Sequence, residues 1–97
     1  MILNFINIET EDMFNGKNTK NAGKVLQSTL LSVAGRKLDQ LDSVSKLDEL
    51  KVPPGNRFEL LFGNRKGQFS IRINDQYRVC FKWHETEPYD VEITDYH

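Results

Sequence analysis

Two stretches near the middle of the chain alternate between apolar and polar residues. Phe69, Ile71 and Ile73 alternate with Gln68, Ser70 and Arg72. Tyr77, Val79, Phe81 and Trp83 alternate with Arg78, Cys80 and Lys82. A period of two predicts two strands, each with one apolar side. Their register follows from the turn between them. A two-residue turn at Asn74-Asp75 pairs Arg72 with Tyr77 and mixes charge into the apolar side. A three-residue turn over Asn74, Asp75 and Gln76 pairs Ile73 with Tyr77, Ile71 with Val79 and Phe69 with Phe81, so the hydrophobic side selects it. Arg72 then stands directly opposite Arg78. Facing like charges cost roughly a few tenths to 1 kcal/mol. Two explanations are open. An anion sits between the guanidiniums, with phosphate the best geometric match. Or the two splay apart, each paired with an acid such as Glu59 or Glu92.

The other elements follow from the same patterning. Met1–Ile6 reads as an opening strand. Ile8–Asn15 reads as a short helix with Glu9, Glu11 and Asp12 in its first turns, where the helix dipole favours acids. Asn15–Asn18 is a turn. From Asn21 to Leu41, the residues Val25, Leu26, Leu30, Val33, Ala34, Leu38 and Leu41 recur at helical spacing and predict the main helix, with Lys24, Arg36 and Lys37 off the stripe on a solvated back. Ser45 caps a single turn ending near Leu50. Pro53-Pro54-Gly55-Asn56 forces a loop. Arg57–Phe62 is a strand, and Gly63–Gly67 a tight turn exposing Arg65 and Lys66. His84–Tyr89, with Pro88, is a loop, and Asp90–His97 a closing strand. The order predicts an α+β fold: one domain over residues 1–97, with a small, largely antiparallel sheet and the N-terminal helices on one face.

Length and composition add limits. Ninety-seven residues allow one modest core. No run is long and apolar enough to span a membrane, and the start lacks a signal-peptide pattern, so a cytoplasmic protein is expected. The single cysteine, Cys80, excludes an internal disulfide and reads as a small strand residue. A formal net charge of −1 gives little whole-molecule attraction to nucleic acid. Arg57, Arg65, Lys66, Arg72, Arg78 and Lys82 nevertheless cluster between positions 57 and 82. A polyanion site is therefore expected to be local.

No metal-ligand spacing, phosphate-cradling glycine loop or nucleophile motif is present, and no cofactor is called for. Tyr96 shares its parity with Glu92 and Thr94. If its strand lies beside the one holding Arg78, the chain end falls on the arginine side. His97 could exchange protons near neutrality, whereas His84 reads as loop surface. Arg72, Arg78, the Arg65-Lys66 tip, Tyr96 and His97 suit RNA cleavage by an internal 2′-hydroxyl without a metal. A base takes the 2′-OH proton, guanidiniums hold the phosphorane charge, and an acid protonates the departing 5′ oxygen. Tyr96 would stack on a base or polarise the 2′ oxygen.

The segments Pro53–Arg57, Gly63–Arg78 and Asp90–His97 closely resemble the HigB family of bacterial toxins in the RelE/ParE superfamily. Phe5 and the Glu9–Phe14 segment also resemble the family's opening, and the likeness is weakest over residues 16–30. The resemblance implies a toxin that cuts messenger RNA in the ribosomal A site. It implies a HigA-like helix-turn-helix antitoxin, and operator DNA bound only through that antitoxin. By the same resemblance Arg72 and Arg78 contact the scissile phosphate, Tyr96 and His97 form the C-terminal catalytic pair, and Arg65 and Lys66 touch the RNA backbone. Two positions depart from the pattern. Phe62 replaces a common lysine, which lowers activity or shifts the work to Lys66, and Asn64 replaces a common aspartate. The alternatives are a non-catalytic, gyrase-binding toxin of the ParE kind, against which Tyr96-His97 argues, and an attenuated toxin acting mainly as antitoxin and corepressor partner.

Overall fold

The computed structural model describes residues 1–16 and 28–95. Tyr96, His97 and the predicted first turns of the main helix lie outside the described residues. Among the described residues, two α-helices, α1 (Ile8–Phe14) and α2 (Ser28–Ser43), precede four strands: β1 (Glu59–Leu60), β2 (Phe69–Arg72), β3 (Tyr77–His84) and β4 (Glu87–Asp95). The strands lie side by side in chain order, each pair antiparallel, which makes the expected α+β architecture.

The helices cover one face of this sheet. Ala34, Leu38 and Leu41 of α2 are fully buried against Ile71, Val79, Phe81, Val91 and Ile93. Their spacing of four and three residues is the stripe that the sequence predicts. Phe81 lies at the centre of a run of rings. Phe58 stacks on Phe69 at 5.6 Å, Phe69 on Phe81 at 6.0 Å, and Trp83 meets Phe81 edge-on at 6.5 Å. Truncating such a ring to alanine typically costs about 3–5 kcal/mol, a large part of a small domain's stability. The hairpin register is the predicted one: Phe69 pairs with Phe81, Ile71 with Val79 and Arg72 with Arg78, and Ile73 N–H donates to Tyr77 O at 3.0 Å.

At the start of α1, Asn7 Oδ1 accepts from Thr10 N–H at 2.9 Å. Thr10 is itself buried, and its hydroxyl accepts the Ile93 N–H at 3.1 Å. The opening residues form no regular strand. Phe5 makes an isolated parallel bridge to Val91, with Val91 N–H donating to Asn4 O and Ile6 N–H to Val91 O. The outer edge of β4 is thus shielded by this bridge and by Thr10, which blunts an otherwise open edge.

Several boundaries differ from expectation. α2 runs two residues beyond Leu41, closed by Val44 N–H on Gln40 O at 3.2 Å. The following 3-10 turn, Leu47–Lys51, is capped at Lys46 rather than Ser45, because the Glu49 carboxylate reaches back to the Lys46 N–H at 3.1 Å. The strand predicted over Arg57–Phe62 shrinks to two residues. Arg57 takes a left-handed conformation (φ 43°) before it, and Gly63 (φ 66°) opens a 3-10 turn after it. Leu61 is the buried member of Leu60-Leu61-Phe62, while Phe62 is 79% exposed.

The segment predicted as a loop at His84–Tyr89 is instead a hairpin with a two-residue turn, Glu85-Thr86, and a left-handed Glu85 (φ 57°). His84 and Glu87 flank that turn, so Trp83 and Pro88 fall at the next pair, where the strands exchange no N–H bond and proline is tolerated. Further along, two β4 residues, Asp90 and Val91, stand opposite Phe81 alone. Lys82 pairs with Tyr89 and Cys80 with Glu92, which defines a bulge at Asp90 (φ 50°). Asp90 uses this conformation to bind Asn4: Asn4 Nδ2 donates to Asp90 Oδ1 at 2.8 Å and Asp90 N–H donates to Asn4 Oδ1 at 3.0 Å.

Candidate active site

The face of the sheet turned away from the helices carries the polar members of the alternation. Across it, Glu59 stands opposite Ser70, Ser70 opposite Cys80, Cys80 opposite Glu92, and Arg78 between Arg72 and Thr94. β4 therefore does lie beside the strand that holds Arg78. Its last described residue, Asp95, pairs with Tyr77, and Gln76 Nε2 donates to its carboxylate at 3.0 Å.

The two arginines solve their mutual repulsion differently. Arg78 is nearly buried, its side chain 11% exposed, and its contacts include two neutral oxygens and one carboxylate. Its Nε donates to Ser70 Oγ at 2.7 Å and its Nη2 to the Arg57 carbonyl at 2.5 Å, with Glu59 at 3.5 Å. The left-handed turn at Arg57 aims that carbonyl. Arg72 instead turns outward to Asp75, which is almost wholly in water. The hydrogen bond and charge of Arg72, with the charge of Arg57, hold the Asp75 carboxyl below the usual carboxylate range. Each guanidinium thus has an acid in the free protein. The Arg72 partner is a solvated carboxylate, an ion pair of the kind worth little, while Arg78 is also aimed by Ser70 and the Arg57 carbonyl.

Arg65 does not stand out on the turn as the sequence reading has it. It folds back across the sheet, donating to Gln68 Oε1 at 3.1 Å, to Glu92 Oε1 at 3.2 Å and to Thr94 Oγ1 at 3.2 Å. Glu92 thus pairs with Arg65. Lys66 is exposed at the turn, as expected. Tyr96 and His97 lie outside the described residues. Cys80 is buried between Ser70 and Glu92, and burial pushes its thiol up to about 11, which leaves it protonated and unreactive.

One cation near this site was assigned by sequence to the solvated back of the helix. Lys37 of α2 donates from Nζ to Asn56 Oδ1, against the loop that ends in Arg57. Burial, then the charges of Arg36 and Arg72, push its pKa below the ordinary lysine value. Spacing held a signal for this placement: Lys37 is three residues after buried Ala34 and four before buried Leu41, on the margin of the apolar stripe. Among the described residues, no three His, Cys, Asp or Glu side chains converge as metal ligands, and no helix is long and apolar enough to cross a membrane.

A family model described as the RelE-like toxin of the type II toxin-antitoxin system HigB matches residues 7–97. The chain belongs to the HigB-like toxin family. Toxin HigB-1 of Vibrio cholerae serotype O1 (strain ATCC 39315 / El Tor Inaba N16961) is 47% identical over 60 residues, covering 62% of this chain and 63% of that protein. An uncharacterized protein of Haemophilus influenzae is 37% identical over 62 residues, covering 64% of this chain and 61% of its own length. The chain thus spans less than two thirds of the length of these curated relatives. A chain of the solved YoeB-YefM complex from Staphylococcus aureus superposes with a TM-score of 0.61 at 15% identity, covering 100% of this chain and 95% of that one, which shows a shared fold. In this HigB-like toxin the departure at position 62 is a water-facing aromatic beside the basic turn, not a core residue.

Proposed function

We propose that this HigB-like toxin is a ribosome-dependent endoribonuclease that cleaves messenger RNA by attack of a 2′-hydroxyl on the adjacent phosphate. The observation that carries the reading is the pairing of Arg72 with Arg78, with Arg78 held rigid by Ser70 and the Arg57 carbonyl. Such preorganised donors stabilise charge that develops only in the transition state. β4 is consistent with it, since Thr94 pairs with Arg78 and Asp95 with Tyr77, so the described part of the strand ends beside the strand that holds Arg78. In this reading a base takes the 2′-OH proton and the new P–O2′ bond forms. The P–O5′ bond then breaks, and the departing oxygen is protonated. The products are a 2′,3′-cyclic phosphate and a 5′-hydroxyl. Tyr96 and His97 supply base stacking and proton transfer, and Arg72 and Arg78 bind the phosphorane.

Lys66 contacts the RNA backbone from the exposed turn. Arg65, tied to Glu92 and Thr94, serves first to hold that turn against the sheet. A nearly neutral protein binds free RNA weakly, so the ribosomal A site supplies the positioning that the toxin's own field lacks. The partner is a HigA-like helix-turn-helix antitoxin, through which alone the toxin reaches operator DNA, and the site of action is the cytoplasm.

The test is brief expression followed by mapping of transcript 5′ ends, alongside Arg78→Ala and His97→Ala. Cuts within translated frames that vanish in both variants, while the folded variants still bind antitoxin, are expected. Intact messages with arrested DNA replication would reject the nuclease in favour of gyrase poisoning. Normal toxicity in both variants would also reject it.

A further inference from the structure

The loop over Pro54–Asn56 and Arg57 is held from two sides by two different cations. Arg78 reaches the Arg57 carbonyl from the sheet, and Lys37 reaches Asn56 from α2. Asn56 is fully buried, and its orientation is set by its amide hydrogens, which go to Gln40 Oε1 and the Leu50 carbonyl, both at 3.0 Å. Its Oδ1 is thereby left for Lys37, so the ammonium is aimed and not free to wander. Lys37 meets the side chain of Asn56 and Arg78 the backbone carbonyl of Arg57, so the two cations contact neighbouring residues, whose Cα atoms lie about 3.8 Å apart. Arg72 stands opposite Arg78 in register.

The partners of Lys37 are unusual for a half-buried ammonium. Its hydrogen bond is to a neutral amide. Among the described residues no carboxylate forms an ion pair with it. Two further cations, Arg36 and Arg72, act on it electrostatically and disfavour its charge. A methionine or glutamine would fill the same place without that repulsion. The charge is therefore a cost to the free protein that an anion would offset.

We propose that Lys37 is a third RNA-binding cation of the site, taking a phosphate that flanks the scissile one where the Pro54–Arg57 loop meets α2. The assignment rests on the nuclease reading and extends the phosphate track from the sheet onto the helix. It also supplies a lysine to a site in which position 62 is phenylalanine.

The test uses ribosomes programmed with a short synthetic message, in single-turnover cleavage against toxin concentration. Lys37→Gln keeps a donor for Asn56 but removes the charge, and Lys37→Arg keeps the charge. Lys37→Gln should raise the half-saturating concentration about tenfold, as for loss of one charge-assisted contact, with the saturating rate little changed. Lys37→Arg should stay close to wild type. Lys37→Gln should melt no lower than wild type. A neutral methylphosphonate placed at each flanking linkage in turn should, at one of them, weaken wild type by the same factor and leave Lys37→Gln unaffected. An unchanged half-saturation in Lys37→Gln, with or without a lower melting temperature, marks a structural brace and overturns the proposal. So does a neutral linkage that weakens both proteins equally at either position. If wild type leaves the message intact, or Arg78→Ala cuts as fast as wild type, the nuclease reading itself falls, a result distinct from failure at Lys37 alone.

Discussion

Replacing Arg65 with methionine separates a brace from an RNA contact. The change removes three side-chain hydrogen bonds, to Gln68, Glu92 and Thr94, and an ion pair whose members are 30% and 28% exposed. At an effective dielectric of about 20, two charges 4 Å apart attract by about 4 kcal/mol. Most of that is offset by desolvation and by the entropy of fixing two long side chains. Partial burial places the pair above the exposed median, so a coupling of about 0.5–1 kcal/mol with Glu92 is expected. The whole substitution should cost about 1 kcal/mol. For a domain of this size that lowers Tm by about 4–8 °C. The assay is a double-mutant cycle of Arg65→Met and Glu92→Gln by urea denaturation, with message cleavage measured on the same four proteins. The brace predicts that Glu92→Gln reproduces most of the cleavage defect of Arg65→Met. A coupling below about 0.3 kcal/mol, with cleavage lost in Arg65→Met but retained in Glu92→Gln, would refute the brace and return Arg65 to direct RNA contact.

Thr10→Val keeps shape but orphans the Ile93 N–H, so urea melts should show a loss of about 1–3 kcal/mol; an unchanged midpoint would mean that this bond contributes nothing. Asp75 has its carboxyl pKa depressed by Arg72, so its contribution is present above the ordinary value of 3.8 and fades as pH falls through the lower folded value. Stability titrations of Asp75→Asn should accordingly differ from wild type above that window and converge with it below; divergence that grows in acid would contradict the sign. Cys80, with its thiol raised to about 11, should resist alkylation at pH 8 until the protein unfolds; rapid labelling of native protein would show that the thiol is accessible. Phe62→Lys should leave Tm within about 2–4 °C, because the ring is mostly in water, and should maintain or raise cleavage; a large stability loss would place the ring in the core.

The sheet's centre was legible because apolar parity leaves only one register for β2 and β3, and the facing of Arg72 and Arg78 came with it. The stripe of α2 was legible for the same reason, since Ala34, Leu38 and Leu41 read as one face. Where the reading failed, the cause was either a turn without its usual residues or a partner far away in the chain. Pro88 signals a break when only its neighbours are considered, yet a proline suits a pair where no ladder bond is made. Glu85 takes a left-handed turn without the glycine or asparagine that announces one. Arg65 reads as an exposed tip, but its partners Glu92 and Thr94 are 27 and 29 positions away. Lys37 sat at the edge of a correctly read stripe, and only the folded loop shows what it meets. Charge identity was visible in each case, whereas the direction in which each charge points was not.

The extra residue at Asp90 has a bearing on which chain lengths this architecture accepts. With Asp90 removed, Val91 alone would face Phe81, and Glu92, Ile93 and Thr94 would keep Cys80, Val79 and Arg78 as neighbours. A one-residue gap there would consequently spare the arrangement around the arginines and forfeit the grip on Asn4 and the ion pair with Lys82. Relatives shorter by one at this point need no compensating change downstream, whereas a gap two residues later would turn the rest of that strand inside out.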